Sequence, residues 1–193
     1  MLDALCQGIE SWWSVNSTDK SKVLSRKAVE LVMAHWHAYI FDNTDEAAAQ
    51  MMTAANLAGQ AICITQTTAA HAFSYKVTSI YGIPHGHAVA ACLHHIWEYM
   101  DNHPEKCIDS RGGDYLIQTF NDISSAMGCQ SVPEAIALFR QMLQEMELAQ
   151  PSSVEKEKEI DILASSVNPV RLKNNPVALD AETISKLYHA IVN

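Results

Sequence analysis

Apolar side chains recur at helical spacing along most of the chain. In residues 3–15 they fall three or four positions apart, and the same spacing continues to about Phe41. Residues 47–64 are rich in Ala and Met, which favours a further helix by intrinsic propensity. Polar clusters at 16–19 and 43–46 precede the second and third runs and supply side chains for an N-cap. The first third of the chain therefore predicts three consecutive helices.

The rest of the chain continues this pattern, and no segment alternates apolar and polar residues over a useful length as a β-strand would. Further helices are predicted around His71, from His85 to about Tyr99, at 115–127, at 132–148, near 154–167, and from a cap at Asp180 to Val192. Residues 168–176 are predicted to be irregular. The fold class is therefore all-α, a single domain of seven to nine helices.

One glycine interrupts a predicted helix. Gly59 lies inside the run at 47–64, where glycine costs about 1 kcal/mol relative to alanine. We therefore expect another helix to pack closely against the backbone at this position.

Composition narrows the classes of function. The chain has 193 residues, 48% of them apolar, and a formal net charge of −9, which argues against binding nucleic acid or an anionic membrane surface. No apolar run approaches the roughly 20 residues needed to span a bilayer. The cysteines form no CxxC pair and no signal peptide is evident, so we expect buried thiols in a soluble, cytoplasmic protein. These cysteines are Cys6, Cys63, Cys92, Cys107 and Cys129.

The all-helical pattern also excludes one route of cofactor binding. The chain contains no βαβ unit and no glycine-rich phosphate loop, so it cannot bind a dinucleotide in the usual way. Its one Gly-Gly pair, Gly112-Gly113, is more typical of a turn.

Two histidines frame the central segment. His71 lies inside a helical run, and His85 begins the next run after the break Gly82-Ile-Pro84. Glycine accepts positive φ and proline cannot continue a helix, so this break predicts a turn that brings the two histidines together. Neutral imidazole is the commonest protein metal ligand, and the pair is therefore half of a candidate metal site.

A second candidate pair lies on the first helix, where Asp3 and Gln7 are four residues apart and share a face. Each candidate has an ordinary structural explanation when it is taken alone. Asp3 can simply be an acidic residue that the helix dipole favours near an N-terminus. His71 can be a hydrogen-bonded core residue, and His85 can belong to a helix start.

In combination, these residues resemble the iron-containing alcohol dehydrogenases. The matching motifs stand in the family's order and are Asp3–Ser11, Asn56–Gly59, His71, and Pro84-His85-Gly86, with a weaker similarity at Asn168–Leu172. Members have an N-terminal nucleotide-binding α/β domain and a C-terminal helical domain that holds the metal. The resemblance implies that residues 1–193 are the second domain alone, a multi-helix bundle of the dehydroquinate synthase-like type, with the nucleotide-binding domain absent.

The resemblance also implies a metal ligand set of Asp3, Gln7, His71 and His85. Gln7 stands where the family usually has histidine, and an amide oxygen is a weaker ligand than imidazole for first-row metals. The protein would then supply three strong ligands and leave the rest to water. The family implies Fe²⁺, whereas the spacing alone permits Zn²⁺ equally well.

In this family the metal acts as a Lewis acid on an aldehyde, and NAD(P)H, bound by the other domain, supplies the hydride. Tyr75 stands where the family has a further histidine near the nicotinamide, so Tyr75 or the nearby His87 would supply the proton. His94 stands where the family commonly has proline, just before the matching His95.

Within the family, residues 66–88, Gln7 and the segment 167–176 are most similar to phosphonoacetaldehyde reductases. Such a substrate is a dianion and requires cationic partners. The candidates are Lys76, Arg171 and Lys173, each of which can equally be a solvated surface charge.

Other functions are compatible with the sequence. The chain can be an inert helical module that binds another chain, because without the nucleotide-binding domain it is expected to be incomplete and inactive as an enzyme. A relative of dehydroquinate synthase or glycerol dehydrogenase would share the architecture, but it fits the residues around His71 and His85 less well. A helical domain separated from its neighbour would also expose an apolar face, which is a route to a homodimer.

Overall fold

The computed structural model describes all 193 residues, Met1 to Asn193. The chain forms ten α-helices and no strand, so the predicted all-α class is confirmed. The helices are α1 (Leu2–Trp13), α2 (Asp19–His37), α3 (Asp45–Thr65), α4 (Ala69–Tyr81), α5 (His85–Asn102), α6 (Gly113–Ala126), α7 (Val132–Glu145), α8 (Lys156–Ser166), α9 (Pro169–Leu172) and α10 (Ala181–Ile191). A π-helical turn (Ala38–Asp42) extends α2, and a 3₁₀ turn (Pro104–Lys106) follows α5.

The prediction of seven to nine helices is one short because of α9, a single turn in the segment predicted to be irregular. The side chain of Asn168 caps this turn and accepts a hydrogen bond from the Val170 amide at 2.9 Å. Pro169 provides the backbone angle that suits a first helical position. One turn is too short to show an amphipathic period, so the hydrophobic pattern could not reveal it.

The polar clusters noted in the sequence do start helices. Thr18 and Ser21 form a reciprocal capping box at the start of α2, with distances of 3.2 Å and 2.9 Å between side-chain oxygens and backbone nitrogens. Thr44 caps α3, and Asp180 accepts a hydrogen bond from the Thr183 amide at 2.8 Å to start α10. These helix starts are confirmed.

Helix α1 lies at the centre of the fold. Nine of its 12 residues are buried, and it packs against α2, α3, α5 and α6. Near its C-terminal end, the rings of Trp13, Trp97 and Phe120 pack edge to face with centroids 5.7–6.2 Å apart. Because so much of α1 is fixed, the side chains near its N-terminus have a defined position.

A partly buried ion pair secures the turn after α1. Arg111 binds Asp109 at 2.6 Å and 2.9 Å, and it also donates to the backbone carbonyls of Ser14 and Ser17, each at 2.9 Å. Burial opposes ionisation of Asp109, but the hydrogen bonds from Arg111 hold the pKa of this carboxyl below its usual range. The pair ties the loop before α6 to the end of α1.

The expectation of close packing at Gly59 is wrong, since a β-carbon added there would meet no atom within 4 Å. The close approach occurs instead at Gly86, in the first turn of α5. A β-carbon at Gly86 would lie 3.1 Å from the Asp3 backbone nitrogen and 3.3 Å from the Asp3 β-carbon. Glycine at this position therefore allows the start of α5 to lie directly against the start of α1.

The five cysteines are all unpaired, and Cys6, Cys92 and Cys129 are buried as expected. Cys63 is exposed, however, so the expectation of a buried thiol is wrong for this residue. Cys107 is only partly buried. None of the ten helices has the length and apolar character needed to cross a membrane.

Candidate metal centre

Asp3, His71 and His85 meet where three helices begin. Each residue contributes one potential ligand atom, and these atoms lie within 4.8 Å of one another. Asp3 Oδ1 is 3.3 Å from His71 Nε2 and 3.8 Å from His85 Nε2. The centroids of the two imidazole rings are 5.5 Å apart, so the turn between the helices brings the two histidines together as the sequence predicts.

The turn between α4 and α5 has the conformation that its residues favour. Gly82 ends α4 in the left-handed region at φ 63°, and Pro84 precedes the first residue of α5. The chain reverses within three residues, so that α4 and α5 pack together. Since Gly86 also permits contact between α5 and α1, Asp3 lies beside both imidazoles.

The three side chains differ in burial. His71 is 3% exposed, whereas the side chains of Asp3 and His85 are each 40% exposed. Burial alone would lower the pKa of His71, but Glu10 and Asp3 together raise it to about 9. The hydrogen bond with His71 lowers the pKa of Asp3 despite partial burial. Two carboxylates around one imidazole therefore favour positive charge at this position.

Glu10 is the residue that sequence reasoning missed. It is completely buried, and its Oε1 accepts hydrogen bonds from the amides of Thr68, Ala70 and His71 at 3.2 Å, 2.8 Å and 3.3 Å. Its Oε2 pairs with Nδ1 of His71. A sequence signal was present, because residues 3, 7 and 10 follow the i, i+4, i+7 spacing of one helix face.

Gln7 contacts the site through Asp3. Its side-chain amide donates a hydrogen bond to Asp3 Oδ2 at 2.7 Å, while the other oxygen, Oδ1, is the one near the imidazoles. Gln7 therefore orients the carboxylate, and its predicted role as a direct ligand stays a prediction.

The donor set fits a divalent transition metal. One carboxylate oxygen and two imidazole nitrogens suit both Zn²⁺ and Fe²⁺. Buried His71 has its second ring nitrogen held by a carboxylate, which is the arrangement found around metal-binding histidines. Asp3 and His85 are partly exposed, so the cluster is open to solvent on one side, as a catalytic metal site requires.

The two predicted proton donors both lie beside this cluster. Tyr75 is 47% exposed, and its ring stacks on His85 with centroids 5.7 Å apart and an angle of 13° between the planes. His87 donates a hydrogen bond from Nε2 to the Ala149 carbonyl at 2.9 Å. His87 and Asp3 line a mainly apolar cavity of about 470 Å³. Their catalytic roles stay predictions.

The three predicted substrate-binding cations are in different surroundings. Arg171 on α9 donates to the Gln66 side chain at 3.2 Å and to the Thr67 hydroxyl at 3.1 Å, just before α4. Lys76 lies on α4, five residues after His71, and is partly buried. Lys173 is exposed and follows α9. Lys76 thus lies on the helix that bears His71, and Arg171 contacts the segment that precedes this helix.

Comparison with known proteins supports one family. A family model described as "Fe-containing alcohol dehydrogenase family, C-terminal" matches residues 1–192. The phosphonoacetaldehyde reductase of Streptomyces viridochromogenes is 30% identical over 190 residues, which cover 97% of this chain and 47% of that protein.

Solved structures agree with this match. An iron-containing alcohol dehydrogenase from Thermotoga maritima has a TM-score of 0.79 at 28% identity, covering 98% of this chain and 47% of its own. One from Thermococcus thioreducens has a TM-score of 0.85 at 22% identity, covering 98% of this chain and 48% of its own. The chain thus spans about half the length of these relatives. On this evidence, the chain belongs to the iron-containing alcohol dehydrogenase family and corresponds to its C-terminal helical part.

Proposed function

We propose that this chain forms the metal- and substrate-binding side of an NAD(P)H-dependent alcohol dehydrogenase that reduces a small aldehyde. The observation that supports it best is the cluster of Asp3, His71 and His85, with ligand atoms within 4.8 Å of one another. Family membership makes Fe²⁺ the first candidate, and the same donors also suit Zn²⁺. Such a metal would supply Lewis-acid polarisation of the aldehyde oxygen.

The remaining chemistry falls to side chains around the cluster. Asp3 and the two histidines fix the position of the reacting carbonyl. Tyr75, exposed and stacked on His85, presents a hydroxyl that donates a hydrogen bond or a proton to the substrate oxygen. His87 is the second candidate: its Nε2–H is donated to the Ala149 carbonyl, so Nδ1 of the neutral ring accepts a proton, and only the doubly protonated ring would pass one to the substrate oxygen.

The hydride donor would be bound outside these residues. No strand and no βαβ unit is present for a dinucleotide, and the relatives are about twice as long as this chain. We propose that a nucleotide-binding domain faces the exposed side of the cluster, so that the reaction takes place between the two parts.

For the substrate we propose a phosphonoaldehyde, on the basis of the relative from Streptomyces viridochromogenes. A phosphonate dianion needs cationic hydrogen-bond donors; Lys76 lies on the helix that bears His71, and Arg171 contacts Thr67 just before that helix. Lys173 is exposed one residue beyond α9 and can approach the same ligand.

The proposal can be tested first through metal content. The purified chain, loaded anaerobically with Fe²⁺ or with Zn²⁺, should hold about one ion, and Asp3→Ala should hold none. A chain that also carries a nucleotide-binding domain should then reduce small aldehydes with NADH or NADPH, whereas this chain alone should not. Absence of bound metal under these conditions would contradict the proposal and favour an inert helical module.

The substrate class needs a separate experiment in the longer, active form. Arg171→Gln should raise the KM for phosphonoacetaldehyde about tenfold or more and leave the KM for a neutral aldehyde unchanged. Arg26→Gln is a matched control, since Arg26 is an exposed arginine paired only with Glu30 on α2. Equal effects of Arg171→Gln on both aldehydes would contradict a phosphonate contact.

A further inference from the structure

Glu10 makes an unusual set of contacts for a buried carboxylate. Its Oε1 accepts from the amides of Thr68, Ala70 and His71 and from the Thr68 hydroxyl, the last at 2.8 Å. These amides are the unpaired donors at the start of α4. Glu10 lies on α1 and therefore caps α4. Its Oε1 cannot accept a further hydrogen bond.

The second oxygen of Glu10 has one partner, Nδ1 of His71. A carboxylate accepts hydrogen bonds and donates none, so Nδ1 must carry a proton. In the metal-free chain Nε2 also carries a proton, donated to Asp3 Oδ1 at 3.3 Å; when that proton is lost, the lone pair of the neutral ring is on Nε2, within the candidate metal cluster.

We propose that Glu10 is a positioning residue that fixes both the tautomer and the orientation of the His71 ring, and thereby directs the Nε2 lone pair to the metal position. This inference rests on the proposed metal-binding function. It extends that function to a residue that touches neither metal nor substrate. The same carboxylate joins α1, which bears Asp3, to α4, which bears His71, so it sets the separation of two ligands.

The contacts of Oε1 make Glu10→Gln a sharp test of this role. In the variant, the amide oxygen must replace Oε1, because only an oxygen can accept from three backbone amides and a hydroxyl. The amide NH₂ then takes the place of Oε2 and donates to His71 Nδ1. The ring can accept this bond only with its proton moved to Nε2, where it blocks metal binding.

The first readout is the protonation of the His71 ring, measured by ¹⁵N NMR of imidazole nitrogens, with His71→Asn used to assign the signals. In the metal-free Glu10→Gln chain we expect the proton on Nε2 and none on Nδ1. In the zinc-loaded wild type we expect the reverse, with a proton on Nδ1. A proton on Nδ1 in the variant would overturn the inference, and this readout in the variant needs no metal.

The second readout is zinc affinity by competition with a chelator. We expect Glu10→Gln to bind zinc about 10- to 100-fold more weakly, the usual effect of losing such a partner. Asp109→Asn is the matched control, because Asp109 is a buried carboxylate held by Arg111, and its replacement should lower Tm without changing zinc affinity. Unchanged affinity in Glu10→Gln would overturn the inference. A wild type that binds no zinc or iron would instead refute the proposed function, while the NMR result would still decide the role of Glu10.

Discussion

Two histidines in this fold have the same burial and opposite surroundings. His71 and His94 are each 3% exposed. His71 lies between the carboxylates of Glu10 and Asp3, whereas His94 accepts a hydrogen bond from Arg140 at 3.2 Å and packs against the ring of His95 at 4.0 Å.

The protonation of the two rings differs accordingly. Burial would lower the pKa of both, but the carboxylates raise that of His71 to about 9. At His94, burial, the neighbouring His95 and Arg140 all act in the same direction and lower the pKa to about 2. The first ring is therefore suited to a cation site, and the second is a neutral core residue. Burial alone does not distinguish a metal ligand from a structural histidine; the charge of the neighbours does.

The largest expected effect is the loss of metal binding on removal of the first ring. His71→Ala should weaken zinc binding by more than about 100-fold, beyond what loss of a supporting residue costs. His94→Ala, which removes an equally buried imidazole, should leave zinc affinity unchanged. Chelator competition on both variants, with circular dichroism to confirm folding, measures the difference. An equal loss of zinc affinity in the two variants would contradict the claim that only His71 belongs to the metal site.

The second effect appears on acidification. His94 and His95, with pKa values lowered to about 2 and about 4, stay neutral in the folded chain while the unfolded chain takes up protons below about pH 6.5. Stability should therefore fall between pH 6.5 and 5 by at most ~1.4 kcal/mol per pH unit for each ring. His71, with its raised pKa, stays protonated in the folded chain, so it contributes a smaller slope of opposite sign near pH 6.5, which vanishes towards pH 5 as the unfolded chain is protonated too.

Urea unfolding of the metal-free chain across this pH range measures the slope. His94→Leu should flatten it, because one of the two neutral rings is removed. A wild-type stability that is independent of pH between 6.5 and 5, or a slope that His94→Leu leaves unchanged, would contradict the assignment of His94 as a neutral core residue.

A smaller effect is expected at Gln7. Gln7→Ala removes the hydrogen bond to Asp3 Oδ2 and should weaken zinc binding about tenfold, at the lower end of the range for such supporting contacts. Gln118→Ala is the matched control, since Gln118 donates an equivalent hydrogen bond to Asp122, four residues away on the exposed face of α6. If both variants bind zinc as the wild type does, Gln7 does not support the site.

The smallest effect concerns the stacking of Tyr75 on His85. An aromatic pair contributes about 0.5–1.5 kcal/mol, so Tyr75→Ala should weaken zinc binding about two- to tenfold. Tyr75→Phe keeps the ring and should bind zinc like the wild type. Isothermal titration of the two variants separates stacking from hydroxyl chemistry, and a loss in Tyr75→Phe would show that the hydroxyl matters for metal binding itself.

The helix caps and tight turns of this fold were predictable from the sequence. The caps at Thr18 and Asp180 and the turn at Gly82–Pro84 follow from rules that involve only near neighbours along the chain. The approach of His71 to His85 follows as well, because a short turn returns α5 onto α4. The family motifs supplied Asp3, a residue for which spacing alone gave no connection to the histidines.

The features that the sequence did not predict depend on tertiary contacts. Gly59 and Gly86 cannot be distinguished by local sequence, since only the packing of α5 on α1 makes Gly86 the close contact. Glu10 has the spacing of a site residue, but its role depends on the amide donors at the start of α4, which lie 58–61 residues away along the chain. A buried carboxylate shows its function only once its partners are known.

The central claim is that Asp3, His71 and His85 bind one divalent cation. The most direct test is a crystal structure of the zinc-loaded chain, with the ion located by anomalous scattering. We expect one fully occupied ion, bonded to Asp3, to Nε2 of His71 and to Nε2 of His85 at about 2.0–2.2 Å. An ion at His94 and His95, or none in the cluster at saturating zinc, would contradict the claim.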